Sequence, residues 1–154
     1  MVRPLHASVG AAGAALLLFH VPQFEGMVLR GYKDPIGIVT ACAGHTKTAV
    51  LGKPYTRDEC EALLVQDLSE HAEGVFSCVT APMTVWEVAA FTSFTYNVGV
   101  SAFCGSTLVR KFNDGNAAGA CAELSRWTKA GGQELPGLVK RRAIERAMCE
   151  GDLG

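Results

Sequence analysis

The chain has 154 residues, of which 49% are hydrophobic and 19% charged, and its net charge is −1. That length suits one domain with a real core, and the composition excludes a disordered chain. Its charges are interspersed apart from a modest basic cluster at Lys140, Arg141, Arg142 and Arg146, so nucleic-acid binding has no electrostatic footprint.

The first stretch, MVRPLHASVGAAGAALLLFHVPQ, places Arg3 before an uncharged run from Ala7 to Val21, which is the shape of an export signal. Ala, Gly, Ser and His dilute the run, and at ~1.5 Å per residue it spans about 22 Å, short of the ~30 Å hydrocarbon thickness. Such a helix enters a bilayer without being held there firmly. His20, Val21, Pro22, Gln23 and Phe24 follow, where a cleavage site would need small residues, so the segment reads as uncleaved. The same composition also suits a buried core helix.

From Gly31 to Thr46 the text turns to Gly, Pro, Thr and alternating Ile and Val. Asp34-Pro35 marks a turn and Ile36, Ile38 and Thr40 share a face, which predicts a small β-hairpin or meander. After Pro54 the pattern is helical. The capping box Thr56 to Glu59 opens a helix with Cys60, Leu63, Leu64, Leu68, Val75 and Phe76 at helical spacing. A second box, Thr84 to Glu87, opens the central core helix, which Gly99 stops. Shorter helices are expected from Ser106 to Asn113, from Asn116 to Ala130 with Gly131-Gly132 as its stop, and from Pro136 to Glu150. A small β element thus sits beside a helical lobe, an arrangement that tends to leave a cleft between them.

The six cysteines, Cys42, Cys60, Cys78, Cys104, Cys121 and Cys149, include no close pair of the kind that structural zinc uses. An even count behind an export-like segment favours disulfides over buried thiols, and spacing alone leaves their connectivity open.

Hydrolysis of a glycosidic bond commonly needs one carboxyl group that holds a proton and one that is ionised. Glu25, beside Phe24 and Met27, is expected in apolar surroundings that favour the protonated acid, and Asp34 in a polar turn where ionisation is easy. The Thr40 hydroxyl can orient a water near Asp34. Surface acids are common, so the spacing is suggestive and the text around it decides.

That text carries a resemblance. Glu25, Asp34 and Thr40, followed by Gly44-His45-Thr46, resemble the catalytic motif of the phage-type lysozymes (muramidases) that include the T-even phage enzyme. The similarity continues through FTYNVG at Phe94 to Gly99, STLVRKFNDG at Ser106 to Gly115, GACAELSRW at Gly119 to Trp127 and GLVKRRAIER at Gly137 to Arg146. It implies an α+β, mainly α, two-lobed fold in which a small β-hairpin lobe and a helical lobe flank a peptidoglycan cleft. It further implies Glu25 as the general acid, Asp34 and Thr40 as the water-handling pair, Tyr96 and Ser106 as sugar contacts, and His45 as a structural histidine. Arg141 and Arg142 leave open which of them, if either, pairs with Glu25.

The uncleaved apolar segment looks like that of the signal-anchor-release endolysins of this family. Residues 1–23 would then be the anchor and residues 24–154 the catalytic domain, exported to the host periplasm, tethered transiently to the inner membrane and later soluble. Within this fold the cysteines are expected to pair as Cys42 with Cys60, Cys78 with Cys104 and Cys121 with Cys149. A monomer acting on peptidoglycan without metal or organic cofactor is the expectation. A lytic transglycosylase and a non-catalytic cell-wall or membrane effector are the alternatives, and the intact Asp34 and Thr40 weigh against the transglycosylase.

Overall fold

The structure, a computed structural model, describes residues 2–153. Helix α1 (Leu5–Glu25) buries Leu5, Val9, Leu17 and Val21 and leaves Ala11, Ala12, Ala15 and Phe19 outward. Gly10 breaks its regularity with a left-handed φ of 76°, and a Cβ there would stand 3.1 Å from Val85 Cγ1. Only glycine combines that backbone with so close an approach. The segment expected to be marginal in a bilayer is here part of the core.

Strands β1 (Val28–Lys33) and β2 (Val39–Cys42) form an antiparallel hairpin with Tyr32 opposite Thr40. The hairpin starts earlier than the Gly31 boundary that the sequence suggests. An irregularity in register between Val28 and Tyr32 interrupts the alternation that would have marked the first strand. Ala41, Cys42, Tyr55 and Cys60 make a small core of their own.

Helix α2 (Arg57–Cys78) spans both lobes: Cys60 belongs to the small core, and Leu64, Leu68 and Val75 to the large one. The Thr56 hydroxyl caps it by accepting from the Glu59 amide at 3.0 Å. Helix α3 (Val85–Val98) is central and begins with the full Thr84–Glu87 capping box. Its Phe91 packs on Phe103 and Phe112, and its Phe94 on Trp127.

Helices α4 (Val100–Cys104), α5 (Thr107–Asn113) and α6 (Ala117–Glu123) follow, then a 3-10 turn at Leu124–Arg126. The helix expected to run on to Ala130 instead stops and gives way to the short strands β3 (Lys129–Ala130) and β4 (Gln133–Glu134). Gly131 and Gly132, with φ of 58° and 80°, form the two-residue turn between them. Helix α7 (Pro136–Cys149) closes the fold against α3.

The fold is thus mainly helical with small antiparallel sheets. Disulfides join Cys42 to Cys60, Cys78 to Cys104 and Cys121 to Cys149. The first ties β2 to α2, the second α2 to α4, and the third α6 to α7.

Candidate active site

A cleft of about 610 Å³ opens between the hairpin and the helices, lined by Glu25, Tyr32, Asp34, Thr40, Thr46 and Tyr96 among others. Three elements bring the expected residues together: the end of α1 supplies Glu25, the hairpin Asp34 and Thr40, and α3 Tyr96. Glu25 is the last residue of α1, and Gly26, with φ 80°, turns the chain away behind it.

The Asp34 side chain is anchored on one side. Its Oδ1 accepts from the Ile36 amide at 3.0 Å and the Ile38 amide at 2.8 Å, which makes the turn a hydrogen-bonded Asx turn. Among the described residues no donor reaches Oδ2. Thr40 Oγ1 donates to the Ile38 carbonyl at 3.0 Å, so its own proton is committed and its lone pairs remain free. The two side chains are therefore both set by Ile38, and both offer acceptors to the cleft.

The Glu25 environment differs from the apolar one expected from Phe24 and Met27. Arg141 Nη1 lies 3.3 Å from Glu25 Oε2, and the guanidinium carbon of Arg141 stands over the Phe24 ring, 4.7 Å from its centroid. The arginine converts a greasy neighbour into a cation–π platform. This assigns the residue that the sequence leaves open: Arg141 pairs with Glu25. Arg142 turns the other way, donating to the Trp127 carbonyl at 3.0 Å, to Asn97 and to Glu145. Burial pulls the Arg142 guanidinium down from its ordinary value, and the Glu145 charge opposes that pull.

Gly44 closes the site opposite Glu25. It has φ 80°, and a Cβ built there would lie 3.5 Å from the Glu25 carboxyl carbon. His45 is buried and held at both ring nitrogens, with Nδ1 2.6 Å from Asp67 Oδ2 and Nε2 2.6 Å from Thr48 Oγ1. It is the satisfied structural histidine that was expected.

Tyr96 lines the cleft with its ring, while its hydroxyl donates to the Ala43 carbonyl at 2.7 Å. Burial, with the Asp67 and Glu25 charges adding to it, pushes its pKa well above the ordinary 10.0. The hydroxyl is thus kept as a donor that ties α3 to the turn before Gly44. Ser106 is not brought to this cleft. It is buried, its hydroxyl donating to the Phe103 carbonyl at 2.6 Å and accepting from the Val109 amide at 3.2 Å as the cap of α5.

The far wall adds residues that the sequence did not single out: Lys47, whose Nζ pairs with Glu70 at 3.1 Å, and His71, whose ring stands edge-on to Tyr96 at 5.1 Å. Lys47 sits in the turn just after Thr46 and His71 on α2 with no motif around it, so it is the fold that brings both to one wall of the cleft.

The chain is similar to known proteins in both sequence and fold. The sequence profile of the family described as phage lysozyme matches residues 22–145. A SAR-endolysin of Enterobacteria phage PA-2 is 43% identical over 145 residues, covering 91% of this chain and 88% of the relative. A SAR-endolysin of Pseudomonas phage phiKMV is 33% identical over 153 residues, covering 97% and 92%. Among solved structures, the muramidase domain of SpmX from Asticaccaulis excentricus superposes with a TM-score of 0.82 at 31% identity, covering 92% of this chain and 96% of that one.

Proposed function

The chain belongs to the phage lysozyme family and is a peptidoglycan-lysing endolysin, and on that premise we propose how its residues cut the glycan. The bond cleaved is the β-1,4 linkage between N-acetylmuramic acid and N-acetylglucosamine. Glu25 gives its proton to the glycosidic oxygen as the bond from that oxygen to the anomeric carbon breaks. A water held by Asp34 Oδ2 and Thr40 Oγ1 attacks the same carbon from the other face and loses a proton to Asp34.

The observation that carries this reading is the pair of free acceptors at Asp34 and Thr40, both fixed through Ile38, in one cleft with Glu25. A water that donates both hydrogens to two acceptors keeps its lone pair for attack, and inversion at the anomeric carbon follows. Arg141 holds the Glu25 side chain in place.

The SAR-endolysin relatives and the apolar character of α1 support a second element of the reading. Residues 1–23 take the chain to the periplasm and tether it at the inner membrane, and α1 then leaves the bilayer to pack in the core. While α1 is in lipid, Glu25 at its end is away from Arg141 and the site is incomplete.

Mass spectrometry of a peptidoglycan digest tests the chemistry. Muropeptides that have gained a water are the expected product of the wild type, and Glu25→Gln is expected to give none. Anhydro products would mean a transglycosylase, and a well-folded Glu25→Gln that still digests the wall would remove Glu25 as the acid.

A further inference from the structure

Behind Glu25 lies a buried carboxylate that takes no part in lining the cleft. Glu145, on α7, has 0% exposure. Its Oε2 accepts from Ser93 Oγ at 2.6 Å and from Arg141 Nε at 3.1 Å, and its Oε1 accepts from Arg142. Arg141 and Arg142 are themselves buried, at 3% and 1% exposure, and adjacent in the chain. Two guanidinium groups so placed repel each other and have lost their water, and an anion shared between them offsets both costs.

Every nitrogen of Arg141 is thereby accounted for. Nε is held by Glu145, Nη2 donates to the Ser93 carbonyl at 2.9 Å, and Nη1 faces Glu25. Helix α1 brings only the Glu25 carboxylate and the Phe24 ring to this cluster. The other members lie on α3, on α7 and at Trp127.

We propose that Glu145 is a positioning residue for the hydrolysis: it orients Arg141, and Arg141 in turn sets the Glu25 carboxyl against the scissile bond. The proposal rests on Glu25 as the acid. The clamp is assembled by the body of the enzyme, so the acid is placed by what receives α1 as well as by α1 itself. A small displacement of an acid from its near-attack geometry is enough to matter, since about 1 Å can cost on the order of 10²-fold in rate.

The test is a double-mutant cycle on kcat with purified peptidoglycan, using Glu145→Gln, Arg141→Gln and the pair together. Glu145→Gln is expected to lower kcat on the order of 10²-fold with KM unchanged. In the Arg141→Gln background the same change is expected to cost nothing further, because the residue acts through Arg141. Additive losses, or an unchanged kcat per folded molecule with lowered thermal stability, would make Glu145 a structural residue and overturn the proposal. Should Glu145→Gln not fold, Ser93→Ala keeps the charges and removes the hydroxyl that holds Oε2. A smaller kcat loss that vanishes in the Arg141→Gln background is then expected, and an unchanged kcat overturns the idea. Glu25→Gln run alongside separates the two levels: residual hydrolysis there overturns the acid assignment and the clamp together, whereas an inert Glu25→Gln with additive losses overturns the clamp alone.

Discussion

Arg141 Nη1 lies 3.3 Å from Glu25 Oε2, an ion pair that joins the last helix of the chain to the end of the first. Arg141→Lys tests what the fork of that guanidinium contributes. A lysine keeps the charge but has a single nitrogen where three contacts are now made, and a buried partner is left unpaired. We expect kcat to fall by about 10- to 100-fold and stability by about 2–4 kcal/mol, measured by release of reducing ends and by urea unfolding.

Asp34→Asn and Thr40→Val probe the water. Asp34→Asn keeps an acceptor for the Ile36 and Ile38 amides, so the turn survives while the proton acceptor is lost. Its kcat is expected to fall by about 10²–10⁴-fold. Thr40→Val keeps the shape and removes one of the two acceptors, with an expected loss of about 10-fold. Proton NMR of the first product formed by the wild type should show the inverted anomer, and a retained anomer would rule out direct attack by this water.

Much of the site was legible because its chemistry is local in sequence. Glu25, Asp34 and Thr40 fall within one short stretch, and the hairpin between them follows from Asp34-Pro35 and the alternation after it. The capping boxes at Thr56 and Thr84 marked helix starts for the same reason. What depends on packing was not legible. Arg141 and Arg142 are neighbours on α7 and both are buried, and only the rotation of α7 against α3 decides which one meets Glu25. Phe24 reads as an apolar wall in the sequence because its partner, a guanidinium, lies far along the chain. Gly131-Gly132 reads as a helix stop, although a pair of glycines is an equally good signature of the tight hairpin it forms. Ser106 matched a sugar contact by position, yet its hydroxyl is spent on α5.

Tyr96→Phe removes the hydroxyl that reaches across to the Ala43 carbonyl. The orphaned acceptor is expected to cost about 1–2 kcal/mol. The pH dependence should change too. The phenol's pKa is raised in the fold above its ordinary 10.0, so its contribution is present below that value and is lost as pH rises above it. Wild-type thermal stability should therefore drop above pH ~10 more steeply than that of Tyr96→Phe. Parallel curves would show that the buried phenol does not drive the alkaline loss.

The disulfide Cys78–Cys104 ties the end of α2 to α4 across a sequence separation of 26. Replacing both cysteines with alanine is expected to lower stability by about 3–4 kcal/mol, read from urea unfolding, chiefly through the freed unfolded chain. Peptide mapping without reductant should recover this pair together with Cys42–Cys60 and Cys121–Cys149, and any other set would contradict the fold as described.

The membrane step predicts a change of compartment without a change of mass. Enzyme expressed in Gram-negative cells should fractionate with the inner membrane and move to the soluble periplasm at full length when the membrane is depolarised. A shortened soluble product would mean that α1 is cleaved as an ordinary signal.

The ion pair between α1 and α7 also bears on when the enzyme becomes dangerous during its manufacture. Glu25 leaves the ribosome early, whereas Arg141 and Glu145, on α7, lie far behind it in the chain. A nascent or truncated chain holds the acid without the cation that locates it. A chain that stops before α7 is therefore expected to leave the wall uncut, which incubating such a fragment with purified peptidoglycan would check.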